Sequence, residues 1–239
     1  GTIEVNSIHV APGYSGVLGS GFTAGFKRMN ISSPTATVKM STQSIGAYVA
    51  ALPKAPVIYF TSGSMEQNAA KLTATAPCDC VSNGTESRII LDGNFWERVV
   101  LSGRRVYEVT INGNTDSLTC LGSARVTVNS TITDAYLYGP TRVLLESGSK
   151  ITNAYIGSSG SELKWMSDIT NGSVYVYSGK FDLSEATSAY SSAGLYVYDR
   201  AVIDTRTGFS GFNQPTVFQW WGGNSARWLI DEGQVVTPS

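Results

Sequence analysis

Four acidic residues in the last third of the chain are of the type that polysaccharide-cleaving enzymes use. Asp182 and Asp199 form one pair and Glu185 and Asp204 a second, with similar lengths of chain between the two members. Paired carboxylates can supply the acid and the base or nucleophile of glycoside cleavage. Because the chain holds 18 acidic residues, such pairs arise easily by chance. We therefore expect no catalytic residues, and these four are the candidates if the protein is an enzyme.

Other kinds of catalytic and cofactor site find little support in the sequence. A polysaccharide lyase would need a basic proton acceptor, and Lys164, Lys180, Arg200 and Arg206 lie in the same region without a pattern. The single histidine, His9, lies in a predicted strand, where a structural role is the more common one. The sequence contains neither a Gly-x-Ser-x-Gly nucleophile elbow nor a P-loop. We expect no cofactor.

Three cysteines, Cys78, Cys80 and Cys120, limit the possible disulfide and metal chemistry. An odd number cannot form a complete set of intramolecular disulfides. One bridge, from Cys120 to Cys78 or to Cys80, remains possible, and otherwise the thiols are structural. A Cys-x-Cys pair with one histidine elsewhere is not a zinc-site pattern, so we expect no metal ion.

Aromatic side chains are the better candidates for ligand binding. The chain has 12 tyrosines and 5 tryptophans, more than the core of one narrow fold needs. Outward-facing aromatic rings can stack on sugars or anchor a protein partner. The alternative is that a cap or an oligomer interface buries them. The predicted ligand-binding residues are Trp165, Tyr177, Tyr198, Trp220 and Trp221.

Repeated segments indicate the fold that positions these residues. The sequences ITDAYL, ITNAYI and ITNGSV begin at positions 132, 151 and 169, with apolar stretches at 142–146 and 162–166 between them. Each unit therefore reads as strand, turn, strand, turn. Such a unit cannot bury its own apolar face and must stack on its neighbours. We predict an all-β protein, a parallel β-helix or β-solenoid with about 18–21 residues per coil.

Two sets of polar or aromatic residues follow the same period. Tyr136, Tyr155, Tyr175 and Tyr196 recur at nearly constant intervals, which predicts a ladder of tyrosines on successive coils about 4.8 Å apart. Phe218 follows at a similar interval. Another recurring set, expected to have structural roles in turns or in a ladder of stacked side chains, comprises Asp134, Asn153 and Asn171.

The N-terminal third of the chain looks different from the rest. Ser64 and Gln67 have capping-box spacing before an alanine-rich stretch, which predicts one short helix near positions 65–73. We predict that residues 1–85 form an irregular N-terminal cap or small subdomain and that residues 86–239 form the solenoid.

Composition excludes several classes of partner. Only 15% of the residues are charged and the formal net charge is −1, so nucleic acid is a poor partner. No apolar run approaches the roughly 20 residues that span a bilayer. The sequence does not reveal whether the protein forms oligomers.

Residues 147–154 (SGSKITNA) and 169–176 (ITNGSVYV) resemble the passenger repeats of bacterial autotransporter adhesins of the AIDA type. The resemblance covers approximately positions 124–204 and implies a right-handed parallel β-helix, a surface-exposed or secreted protein and an adhesive role. The chain differs from that family in lacking regular Gly-Gly turn pairs and in its cysteine-bearing N-terminal part. Bacteriophage tailspikes are similar in solenoid shape, and this resemblance implies a homotrimer on the virion.

Two functions remain in view. The first is an extracellular or cell-surface adhesion module that presents a rigid strand face to a surface glycan or host receptor. The second is a tailspike-like protein that processes polysaccharide or binds a receptor. A third, purely structural role is a scaffold for assembly.

Overall fold

A computed structural model of the chain describes residues 4–11, 17–18, 25–31, 37–39, 57–60, 69–73, 78–82, 88–93, 96–102, 107–166, 172–186, 193–207, 209 and 217–232. Within these residues every regular element is a β-strand, and the strand pairings are parallel. The predicted parallel β-solenoid is therefore confirmed.

Odd-numbered strands form a first parallel ladder along the solenoid. They are β1 (Glu4–Val10), β3 (Gly25–Ile31), β5 (Val57–Phe60), β7 (Cys78–Ser82), β9 (Trp96–Leu101), β11 (Thr115–Cys120), β13 (Thr131–Leu137), β15 (Lys150–Ile156) and β19 (Val217–Trp220). The long strands β17 (Ser173–Asp182) and β18 (Gly194–Asp204) contribute their first halves to it.

Even-numbered strands form the second ladder on the other side of the core. They are β2 (Val17–Leu18), β4 (Thr37–Lys39), β6 (Ala69–Thr73), β8 (Arg88–Asp92), β10 (Tyr107–Ile111), β12 (Ala124–Val128), β14 (Arg142–Leu145), β16 (Glu162–Trp165) and β20 (Arg227–Leu229). The second halves of β17 and β18 complete it. Each coil thus contributes one strand segment to each ladder.

Coil length varies around the predicted period. In the middle of the solenoid, Ile132 pairs with Ile151, so the number of residues in this coil lies within the predicted range. The coil before it is shorter, since Thr115 pairs with Ile132. The last coil is longer, since Gly194 pairs with Val217. The predicted period therefore holds in the middle, and the turns absorb the differences elsewhere.

Buried and outward-facing residues alternate along the strands, and the buried ones form a continuous core between the two ladders. Strands β13 and β15 bury every second residue through most of their length, as a half-buried strand should. Equivalent inward positions stack on successive coils and are at most 2% exposed: Leu118, Ala135, Ala154, Val174 and Leu195 on the first ladder, and Val126, Val143, Leu163, Phe181 and Ile203 on the second. Burying each larger aliphatic or aromatic side chain stabilises the fold by about 1.5–3 kcal/mol.

Buried hydroxyl groups satisfy carbonyl groups at the corners between the ladders. Thr141 Oγ1 donates to the carbonyl of Gly122 at 2.6 Å, and Ser161 Oγ donates to the carbonyls of Leu137 and Gly139 at 2.9 and 2.7 Å. Both side chains are at most 2% exposed. The corners therefore bury backbone without leaving these acceptors unpaired, which would cost about 1–3 kcal/mol each.

The predicted helix near positions 65–73 is wrong where the structure describes it. Residues 69–73 form strand β6, which pairs with β4 and β8; residues 65–68 lie outside the described residues. Ala70 and Leu72 alternate with polar residues and pair with Ile89 and Leu91. Stacking on the next coil therefore overrides the local helix preference of the alanines.

Strand pairing also crosses the predicted boundary at residue 85. The pairs β6–β8 and β7–β9 join described residues on its two sides. The strands before residue 85 thus extend the same two ladders, while the division into a cap and a solenoid stays a prediction. Among the described residues, no helix is long and apolar enough to cross a membrane.

Replacing a buried tryptophan should cost far more stability than replacing an exposed one. Trp165 is 1% exposed and Trp221 is 54% exposed. We expect Trp165→Ala to lower the free energy of unfolding by about 3–5 kcal/mol and Trp221→Ala to lower it by under about 1 kcal/mol. Urea denaturation followed by circular dichroism measures both, and equal losses would contradict the assignment of Trp165 to the core.

Candidate functional site: an exposed aromatic face

Four tyrosines form a stacked column on the outer face of the first ladder. Tyr136, Tyr155, Tyr175 and Tyr196 are register partners on β13, β15, β17 and β18. Successive ring centroids lie 4.8, 5.0 and 4.6 Å apart, with interplanar angles of 4–7°. The predicted tyrosine ladder is confirmed, and we call these four residues the inner column.

Stacking makes the inner column rigid and determines what it offers to solvent. Each aromatic pair contributes about 0.5–1.5 kcal/mol beyond area burial. The ring faces are occupied by neighbouring rings, so ring edges and hydroxyl groups remain accessible. Burial first, and then the charges of Tyr136 and Asp134, raise the pKa of Tyr155 above its usual value. At physiological pH its phenol is therefore protonated and can donate a hydrogen bond.

A second set of aromatic residues projects from the same face two positions farther along each strand. Tyr138, Tyr177, Tyr198 and Trp221 form this outer column. Tyr138, Tyr177 and Trp221 are 51%, 41% and 54% exposed. The centroids of Tyr177 and Tyr198 are 4.4 Å apart, and those of Tyr198 and Trp221 are 5.0 Å apart. Unlike the inner column, the outer column presents large apolar surface to solvent.

Gly157 interrupts the outer column. Its amide donates to the carbonyl of Leu137 at 2.9 Å, just as the amide of Tyr138 donates to the carbonyl of Cys120 on the coil before. Gly157 therefore occupies the outer-column position of its coil, between the coils of Tyr138 and Tyr177. The edge of the Tyr138 ring covers this position, because a Cβ on Gly157 would lie 2.5 Å from Tyr138 Cδ1.

A short polar ladder lies beside the inner column. Asp134 and Asn153 lie within β13 and β15 rather than in turns, and Asn153 Nδ2 donates to Asp134 Oδ1 at 2.9 Å. Asn153 Oδ1 in turn accepts from the amide of Ser173 at 3.2 Å. The predicted polar ladder thus holds for these two residues, and Asn171 lies outside the described residues.

The structure separates the five predicted ligand-binding residues into three groups. Tyr177, Tyr198 and Trp221 come together in the outer column. Trp220 is in register with the core residue Val197 and stacks on Trp228 at 6.0 Å in the last layer of the interior, where it is 37% exposed.

The expectation that Trp165 is exposed is wrong. Its side chain points inward from β16 and meets Phe181 edge-on at 6.1 Å. Tyr138, by contrast, is exposed but was not among the five predicted ligand-binding residues. Its position two residues after Tyr136, on the same side of a strand, was the signal that could have found it.

Two of the candidate catalytic acids form a buried ion cluster on the second ladder. Asp182 and Asp204 are register partners on β17 and β18. Lys180 Nζ lies 2.7 Å from Asp182 Oδ2 and 2.8 Å from Asp204 Oδ2. Arg206 donates twice more to Asp204, at 2.9 and 2.8 Å. Asp182 is 4% exposed and Asp204 is 1% exposed. Both carboxylates are therefore bound by these cations and shielded from a polymeric substrate.

Electrostatics within this cluster favour the charged forms. Burial by itself would raise the pKa of Asp204, but hydrogen bonds from Arg206 and Lys180 hold that pKa well below its usual value. Burial likewise opposes the lowering of the Asp182 pKa, and hydrogen bonds from Lys180 and Ser184 outweigh it. Neither carboxyl group is poised near neutral pH, as a general acid would be.

The other two candidate acids engage different partners. Glu185 is exposed and forms an ion pair with Lys164 at 2.5 Å. Asp199 accepts from the amide of Gly223 at 3.0 Å. Because only Asp182 and Asp204 share a cluster, the four acids do not form one catalytic centre among the described residues.

An open groove of about 780 Å³ runs along the outer face of the second ladder. Its walls carry charges of both signs, because Glu108, Arg125, Arg142 and Glu162 are register neighbours. Arg142 Nε lies 3.3 Å from Glu162 Oε2. The groove is thus largely compensated by its own side chains.

Thiol and metal chemistry have no visible centre in the described part of the chain. Cys80 and Cys120 are buried thiols with no exposed surface. They lie two coils apart, since Cys80 pairs with Val99 and Leu101 with Cys120, so their separation exceeds the roughly 7 Å between Cα atoms that a disulfide tolerates. Burial raises the pKa of Cys120 to about 12. Cys78 has no described side chain, and no acidic, histidine or cysteine cluster among the described residues could hold a metal.

Comparison with known proteins identifies no relative: no protein-family model, no curated protein and no solved structure matches this chain.

Acid should weaken the protein through the buried ion cluster. Both aspartates have lowered pKa values in the folded state. Their stabilisation is therefore complete above the unfolded-state pKa of about 4 and is lost as the pH falls through the lower folded-state values. We expect the double variant Asp182→Asn/Asp204→Asn to lose about 3–5 kcal/mol at pH 7 and to lose less than the wild type between pH 4 and pH 2.

Urea denaturation across this pH range measures the effect. Asp116→Asn, at an exposed position of β11, is the matched control and should keep the wild-type slope. An unchanged slope in the double variant would show that other carboxylates cause the acid sensitivity.

The two described cysteines should be unreactive in the folded protein. In a Cys78→Ser variant, which removes the one undescribed thiol, we expect no reaction with Ellman's reagent under native conditions, because both remaining thiols are buried and burial also raises the pKa of Cys120. Both should react after denaturation in guanidinium chloride. Rapid labelling of either thiol in the native state would contradict the assigned burial.

Proposed function

We propose that this chain is a binding module of a secreted or cell-surface protein and that it holds glycans on its aromatic face. The observation that carries the proposal is the exposed outer column, three of whose rings are 41–54% exposed beside a rigid inner column. Large exposed aromatic surface on an otherwise polar strand face is characteristic of an interaction site.

The chemistry of the face suits a sugar. Aromatic ring faces attract the C–H faces of pyranose rings, and phenolic hydroxyl groups can bond to sugar hydroxyl groups. The inner column is already ordered by stacking, so little conformational entropy is lost when a ligand binds. The near absence of charge among the described outer-column residues favours neutral sugars over anionic ones.

Adhesion is the biological role that fits such a face. Several exposed aromatic rings lie along one face, so a multivalent surface can engage more than one of them at once and gain avidity. The resemblance of the central repeats to autotransporter adhesins supports a bacterial cell-surface or extracellular location and a host surface as partner.

The alternative is a tailspike-like, polysaccharide-processing or receptor-binding protein, with a homotrimer on the virion. The pairing of Asp182 with Asp204 is the observation in its favour. The occupation of both carboxylates by Lys180 and Arg206 weakens it, because a substrate would have to displace those cations. A receptor-binding tailspike without cleavage would use the same aromatic face.

A glycan array probed with the purified chain tests the proposal. We expect retention on neutral glycans, and a loss of about tenfold or more in affinity for the double variant Tyr177→Ala/Tyr198→Ala, since exposed aromatic anchors dominate such interfaces. Ile230→Ala, a change at an exposed apolar position outside the two columns, is the matched control and should bind as the wild type does.

The same glycans are incubated with the chain and assayed for new reducing ends and unsaturated sugars. Binding without product release supports an adhesive module. Product release would overturn it in favour of a polysaccharide-processing enzyme, and an array without any retained glycan would overturn glycan binding altogether.

A further inference from the structure

The gap at Gly157 has the dimensions of one sugar ring. Tyr138 and Tyr177 are two coils apart, which places their coils about 9.6 Å apart at the usual spacing of parallel strands. Two flat rings that enclose a third need about 3.5–4 Å on each side of it. The position between them carries no side chain of its own, and once the Tyr138 ring that covers it has turned away, one further ring fits there between the two tyrosines.

One wall of the gap is rigid and the other can move. Tyr177 is backed by Tyr198 at 4.4 Å and Tyr198 by Trp221 at 5.0 Å, and the face of Tyr177 toward Gly157 meets no described ring. Tyr138 has Tyr136 as its ring neighbour, at 6.0 Å and 37°. This tilt brings its edge over Gly157, and rotation about its side-chain bonds would uncover the gap.

We propose that Gly157 forms the floor of a slot that binds one pyranose ring of a neutral glycan. In the slot the sugar stacks on the free face of Tyr177, and Tyr138 swings outward to cover its other face. This inference rests on the proposed glycan-binding function and locates that function at one position of the outer column.

A neutral sugar fits the slot better than the other flat ligands. Tyr138 and Tyr177 carry no charge, so an acidic sugar would lose hydration without gaining an ion pair. A pyranose offers C–H groups to the ring of Tyr177 and hydroxyl groups to the phenols and solvent at the rim. An aromatic side chain of a partner protein would match the ring face but would offer fewer hydroxyl groups at the rim than a sugar does.

The slot can be filled without removing an aromatic residue. Gly157→Ala places a methyl group on the floor and against the exposed, flexible Tyr138 ring, so the fold should tolerate it. Ser159→Ala, in the same turn, is the matched control. The probes are cellopentaose, maltopentaose and chitopentaose, with tetragalacturonate and N-acetyltryptophanamide as the acidic and aromatic comparators.

Calorimetry and NMR are performed with the wild type and both variants, after thermal unfolding has established that all three are folded. We expect at least one neutral pentasaccharide to bind the wild type and the Ser159→Ala variant equally, and to bind Gly157→Ala about tenfold or more weakly, as for an extra methyl group in a pocket. Sugar C–H protons should shift upfield in the complex, because they lie over the Tyr177 ring, and this shift should vanish in Gly157→Ala.

The other outcomes separate the slot from the proposed function. Equal affinity of a neutral pentasaccharide for the wild type and Gly157→Ala would overturn the slot and leave glycan binding intact. Binding of tetragalacturonate or N-acetyltryptophanamide that is sensitive to Gly157→Ala, without binding of a neutral sugar, would overturn the neutral sugar as occupant. No binding of any probe would overturn the slot. If the glycan array also showed no retained glycan, the proposed function would be overturned as well.

Discussion

Parallel pairing in register is the constraint on which the rest of this structure depends. It places residues one coil apart in sequence directly above one another, at the spacing of neighbouring strands. A residue type that recurs with the coil therefore becomes a column, whether the residues are core aliphatics, stacked tyrosines or charged residues. The inner column from Tyr136 to Tyr196, the core column from Leu118 to Leu195 and the charged series from Glu108 to Glu162 all arise in this way.

The two outer faces have consequently acquired different chemistry. On the first ladder, aromatic rings stack on one another and turn their uncharged edges toward solvent. On the second ladder, Lys180 lies between Asp182 and Asp204 and also pairs with Glu162 on the preceding coil. The first face has exposed apolar surface. On the second face, many of the charged side chains already form ion pairs with one another. This contrast is why the proposed function rests on the first face.

The fold and the inner column could be predicted because periodicity is a property of the sequence itself. The candidate acids were harder, because the length of each coil is set by its turns. Val176 pairs with Val197 and Ser178 with Arg200, so this coil is longer than the interval from Asp182 to Asp199, and Asp204 becomes the partner of Asp182. The short helix was predicted from the capping-box spacing of Ser64 and Gln67, and stacking on the next coil overrides the local helix preference at Ala69–Thr73. Trp165 follows the same alternation as Leu163, so its inward direction was readable, but a tryptophan count alone does not tell buried rings from exposed ones.

Shorter and longer coils coexist here with strands that keep their register through most of the described ladders. The lengths differ at the corners, while the strand positions that carry the columns stay aligned. Over evolutionary time, an insertion or deletion at a corner would therefore change the outline of the molecule without disturbing its faces. A one-residue insertion within a strand would instead turn core residues toward water and tyrosines toward the core. Variation in this lineage should accordingly accumulate as corner loops of differing length, and whole coils should be gained or lost more readily than single strand residues.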